Sequence, residues 1–237
     1  MRGKRTFQVG LASAVLAGGS LFGLPGFAWG SLRPHSFASE QKQLERQLAD
    51  RAAQLGRLGT DVSGAKKLTS AHALALDARS ADADQLLNAL IAKVPTDTTQ
   101  AQLNSDKASV LQVNQAFAVL TPQVFETIEA DAITAEATTL QADEPTLQSL
   151  ASSLVGQGGY KNALDHDVAL VKSVNQAIKD SRDVATVILA QTRSEFPGDT
   201  QVFLHTNKDL LNSGTALANA SYDESIIGLA LGGYTGP

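Results

Sequence analysis

Cysteine is absent from all 237 residues of the chain. That excludes disulfide staples, thiolate nucleophiles, zinc–thiolate sites, haem attachment through Cys-x-x-Cys-His and iron–sulfur clusters. Stability must come from packing, for which a chain of this length suffices. The single Met (Met1) and the single Trp (Trp29) both fall in the first thirty residues. Beyond them the rings are Phe37, Phe117, Phe125, Phe196, Phe203, Tyr160, Tyr222 and Tyr234. So few rings argue against an aromatic cage or a sugar-stacking cleft. There is no Gly-x-Ser-x-Gly elbow and no Ser-x-x-Lys motif in a suitable setting, and Lys172 beside Ser173 has the wrong spacing to activate it. The run Gly156-Gln157-Gly158-Gly159 lacks the following Lys-Ser/Thr and the preceding strand of a phosphate cradle.

What the chain does have begins at its start. Arg2, Lys4 and Arg5 form a short basic segment, and Val9 to Leu24 is apolar apart from small residues. Pro25 ends the run, and Ala28-Trp29-Gly30 places small residues where a signal peptidase needs them. The run is shorter than the ~20 apolar residues that span a bilayer. The expectation is an export signal over residues 1–30, cleaved before Ser31, and a mature protein in the periplasm or extracellular space. Lys4-Arg5-Thr6-Phe7 resembles the twin-arginine export motif with Lys in place of the first Arg. That resemblance implies export in the folded state.

Residues 31–237 carry sixteen basic and twenty-four acidic side chains, a net charge of −8. An acidic chain is unsuited to nucleic acid and to anionic lipid, both of which require a clustered basic surface. The charge is uneven. Residues 31–67 have a net charge of +3 and residues 95–150 a net charge of −7. The expected consequence is intramolecular, with the first helix beside the acidic third or fourth; the alternative is a charged face for a partner.

Apolar spacing is helical nearly throughout. A first helix is expected from Phe37 to about Leu55, loosened by Gly56, Gly59 and Gly64, and a second from about Ala65 to Val94, stopped by Pro95. Thr96 to Thr99 is rich in capping residues. Val110, Val113, Phe117, Leu120 and Val124 then alternate by threes and fours, the seam of a helix packed along a partner. Because this seam continues past Pro122, a kinked helix running on to about Leu140 is expected rather than a split. Asp143-Glu144-Pro145 is expected to restart the chain as a short helix to Val155. A long helix follows from Tyr160 to about Arg193. Phe196-Pro197-Gly198 breaks it, and Asp199 or Thr200 caps a last helix lined by Phe203, Leu210, Leu217 and Ala220. The segment 225–237 is apolar and Gly-rich, and Ile226 to Leu231 is its one strand-like stretch. The predicted fold is all-α: an elongated, antiparallel, up-and-down bundle of five to six helices over residues 31–224 with a tail over 225–237.

Such a bundle can hold a di-metal centre if Glu residues and Glu-x-x-His motifs converge. The chain has no Glu-x-x-His, and its nearest candidate ligands are Glu126, Glu129 and His166. Asp165 and Asp167 flank His166 but diverge by about 200° on a helix, so the triplet cannot chelate one ion. Haem would need an axial His or Met pair; residues 31–237 contain no Met, and His72 with His205 is the candidate pair. The sequence therefore reads as an exported, non-catalytic helical protein without a cofactor, acting as a binding or structural component through a protein partner or self-association. Two alternatives accompany it. One is a membrane-active protein inserting the tail Ile226 to Tyr234, and the other is a metal-storing bundle.

Overall fold

The spacing of threes and fours becomes five α-helices among the described residues. The computed structural model describes residues 36–153, 155–156, 159–198 and 200–232. The expected export signal, His35, Gln157, Gly158, Asp199 and residues 233–237 lie outside them. The helices are α1 (Phe37–Gly64), α2 (Ser70–Lys93), α3 (Gln100–Ser152), α4 (Tyr160–Ala190) and α5 (Thr200–Gly232). Short 3-10 turns, Val94–Thr96 and Arg193–Glu195, follow α2 and α4. No strand occurs among the described residues, and Ile226–Leu231 is helical. The helices pack on one another as an all-α bundle, as expected.

The organising element is α3. Its 53 residues extend about 80 Å at 1.5 Å per residue. Its first half packs with α1 and α2, and its second half packs with α4 and α5. Phe117 is 2% exposed, Val113 1% and Leu120 2%, so the predicted seam is core. The Arg51 guanidinium lies 5.3 Å from the centre of the Phe117 ring, and its Nε donates to Asn114 at 3.0 Å, fixing α1 against α3. Thr99 caps α3 in a reciprocal box with Gln102.

Four helix boundaries differ from expectation, the simplest being α2, which begins at Ser70 under a Thr69 cap rather than at about Ala65. α1 does not end at Leu55 but continues through Gly56 and Gly59 to Gly64. A Gly inside a helix costs roughly 1 kcal/mol relative to Ala. Continuing buries Leu58 and Val62 in the first core, each worth about 1.5–3 kcal/mol. The same contest decides α3. It runs unbroken through Pro122, and also through Pro145, where a new helix was expected. A proline in a helix interior costs about 3 kcal/mol. Leu120 and Val124 flank the first proline and Leu140 and Ala151 the second, all buried, so packing holds the helix on both sides. Finally, the segment expected as a tail is helical as far as Gly232. Ile227 is fully buried in the core of α3, α4 and α5, and Ala230 packs near Ala151 and Ala163.

Charge partitions only partly as expected. Lys67 meets Glu136 at 3.3 Å, joining the basic segment to the acidic one. The pair between Lys107 and Glu40, at 2.6 Å, has the opposite sense.

Candidate functional site

The candidate metal ligands do not converge. Glu126 lies on α3, one turn from Glu129 and near the Thr206 hydroxyl of α5, and its Oε2 is buried without a hydrogen-bond partner. Burial pushes its pKa up to about 7, with Glu129 adding to the rise and Thr206 opposing it. Burial also raises the carboxyl of Glu129. His166 lies on α4, next to Asp167, whose carboxyl is raised by burial and then by Glu144 of α3. Glu144 is eighteen residues past Glu126, or about 27 Å along α3. The register between α3 and α4 thus separates His166 from both glutamates. Among the described residues no group of three or more potential ligands forms.

Each described histidine has a local carboxylate instead. His166 Nδ1 is 2.8 Å from Asp223 Oδ1, and the Tyr222 ring meets its imidazole edge-on at 6.1 Å. His72 Nδ1 is 2.9 Å from Asp131 Oδ1, while Asp131 Oδ2 accepts from the Thr69 backbone N–H at 2.7 Å. Thr69 caps α2, so this triad fixes the α1–α2 turn to α3. His205 is exposed and lies 3.5 Å from Asp209 on its own helix. His72 and His205 belong to different packing groups and make no axial pair.

Two other polar groups are structural ties. Lys93 donates to the fully buried Asp106, and burial together with Asp106 raises the carboxyl of nearby Asp97. Gln123, 1% exposed, donates to the carbonyls of Ile188 and Gln191 at 3.0 and 2.9 Å, satisfying the end of α4. Arg79 reaches the neighbouring Leu189 carbonyl at 3.4 Å. These side chains border a cleft of about 380 Å³ between α2, α3 and the turn after α4. Of its two arginines, Arg79 and Arg193, the first therefore already serves a helix terminus.

The feature without an internal purpose is the outer face of α5. The inner face is close to the expected one: Phe203, Leu210 and Ala220 are buried and Leu217 partly so, and Ile227 from the expected tail joins them. A second series runs along the opposite side: Leu204, Lys208, Leu211, Thr215, Ala218, Tyr222, Ser225 and Leu229, all exposed. Leu204 is 50% exposed, Leu211 64%, Tyr222 60% and Leu229 71%. The intervals alternate between four and three, the period of a coiled-coil seam. Lys208 is the one lysine, arginine or carboxylate among the exposed residues of α5. Alongside lies a groove of about 530 Å³ between α4 and α5, bordered by Lys172, Gln176, Asn212, Asn219, Tyr222 and Asp223. It presents amides and hydroxyls together with one lysine and the Asp223 carboxylate, which is already engaged by His166. Composition hid this face from the sequence, because Leu204 and Leu211 adjoin Phe203 and Leu210 and were absorbed into one apolar pattern.

No family model, curated protein or solved structure matches the chain.

Proposed function

We propose that this chain is an exported, non-catalytic helical protein that works as an assembly component, docking to a partner along the outer face of α5. The observation that supports the reading is the second heptad series on a helix whose first series already fills the core. Ordinary surface helices are polar on the side away from the core. Here four large side chains lie exposed along one nearly uncharged line. Large apolar side chains exposed along one helix face, here interrupted by Lys208, Thr215 and Ser225, are a usual mark of an interaction surface. Export is supported by the basic start, the apolar run and the small residues before Ser31.

The tail offers less support to the membrane-active alternative, since Ile227 is buried and no described helix is long and apolar enough to cross a membrane. The test uses the absence of native cysteine. Leu211→Cys on α5 and Leu74→Cys on α2 each introduce one thiol at an exposed site. In producing cells and their exported fraction, the thiol at 211 should react with a maleimide at least tenfold more slowly than that at 74. Equal rates would overturn the docking reading. Mass spectrometry of the exported product should find Ser31 at its start, and retention of residues 1–30 would contradict export by cleavage.

A further inference from the structure

We propose that the partner on α5 is a second copy of the same chain, its α5 lying antiparallel across a two-fold axis. The inference rests on the docking reading above and names its occupant. The argument is one of symmetry. A two-fold interface must be self-complementary, so that if residue i meets residue j, then j meets i. Between its outermost apolar members, Leu204 and Leu229, the exposed series has intervals of 4, 3, 4, 3, 4, 3 and 4, the same counted from either end, with exposed Gln201 one step before it. Inverted onto itself, every member of the series meets another member. Leu204 meets Leu229 of the second copy, Lys208 meets Ser225, Leu211 meets Tyr222, and Thr215 meets Ala218. Large apolar residues face each other at the ends, and the smallest pair lies at the axis, where two backbones come closest.

Charge selects the direction. A parallel pair would set Lys208 against its own copy, which costs energy. The antiparallel pair sets it against a serine hydroxyl. Flanking positions agree, because Asn212 falls beside Asn219 of the second copy, and amides can both donate and accept. No exposed carboxylate of α5 approaches another, although each chain is acidic overall. Gly214 and Gly228 flank the series with open space beyond each Cα, so no contact within the chain demands glycine there. Small flanks let the partner helix approach.

The test combines mass with two cysteine variants. Sedimentation equilibrium of the purified protein should give twice the single-chain mass. Leu204→Cys/Leu229→Cys should oxidise to a covalent dimer on a non-reducing gel. Within one chain these positions are about 38 Å apart along the helix and cannot bridge, because a disulfide needs Cα atoms within about 7 Å. Leu204→Cys alone should remain uncrosslinked, since its two copies sit at opposite ends of the pair. A single-chain mass up to the solubility limit would overturn the inference. Crosslinking of the single variant as efficient as that of the double would overturn the antiparallel register. If the mass is that of one chain while the thiol at 211 is still protected in cells, self-pairing fails and docking to another partner stands.

Discussion

The two cores that share α3 are built from different material. The first, with α1 and α2, is filled by leucines and Phe117, among them Leu44, Leu48, Leu76, Leu87, Leu90 and Leu103. The second, with α4 and α5, relies on Ala130, Ala137, Ala177, Ala185 and Ala220 between Val, Leu and Ile. Buried polar groups also gather in the second: Glu126, Thr127, Asp167, Ser181, Thr206, Ser213 and Asp223, against Asp97 and Asp106 in the first, while Asp131 ties α3 to the α1–α2 turn. Large side chains stabilise mainly by the apolar area they remove from water, whereas small ones allow helices to approach closely and bury less each. The surfaces differ too. Exposed positions of α1 and α2 carry charges such as Arg46, Asp50, Arg57, Asp77, Asp82 and Asp84, while those of α5 are almost uncharged. The first half, filled by larger side chains, is expected to be the more stable base. The second is the leaner half, and it is the one that bears the candidate contact surface.

This contrast predicts a hierarchy of effects. The largest belongs to the first core. Phe117→Ala should cost about 3–5 kcal/mol in chemical denaturation, since it empties a closely packed position. A loss under about 1 kcal/mol would remove the claim that this half is the stable one. Next comes the buried carboxylate of the second half. The folded-state pKa of Glu126 is about 7 against an ordinary value of 4.5. Folding must therefore bury a charge above pH 7, a cost relieved as pH falls from about 7 towards 4.5 and absent below that. The melting temperature should rise on going from pH 8 to pH 5.5. Glu126→Gln should raise it at pH 8 and flatten that slope, with an upper bound on the order of 3 kcal/mol. A lower melting temperature for this variant at pH 8 would contradict the assignment.

Two smaller effects sharpen the contrast. Ala177→Leu should destabilise by about 1–3 kcal/mol, because a closely approached helix pair has no room for the added volume. A neutral result in a denaturation midpoint would mean the second core is loosely packed. Gly56→Ala and Gly59→Ala, with open space at each Cβ position, should stabilise α1 by about 0.5–1 kcal/mol apiece. Destabilisation would show that these glycines have a role outside the helix itself.

The legible parts of the fold were those with sustained spacing. Val113, Phe117 and Leu120 could be placed in a core because threes and fours continued around them for several turns. The errors came from local breakers. Gly56, Gly59 and Pro145 each suggest an end, yet the burial of Leu58, Val62 and Ala151 lies further along the chain, and its energy outweighs the local cost. The site was less legible, for two reasons. Whether Glu126 and His166 meet depends on the register of α3 against α4, and no residue spacing within one helix encodes it. The outer series of α5 was present in the letters, but its exposure could be recognised only once Phe203, Leu210 and Ile227 were known to fill the inner face.

The difference between the halves is tested most directly by adding one negative charge to each surface. Ala218→Glu places it at the centre of the exposed series of α5, and Ala89→Glu places it on the exposed side of α2, four residues before Lys93. Both variants should retain the helical circular dichroism of the parent, and Ala218→Glu should lose only the part of the melting temperature that pairing contributes. In sedimentation equilibrium Ala89→Glu should keep the parental mass, and Ala218→Glu should fall to half of it. If the two variants sediment alike, the outer face of α5 is not the contact surface.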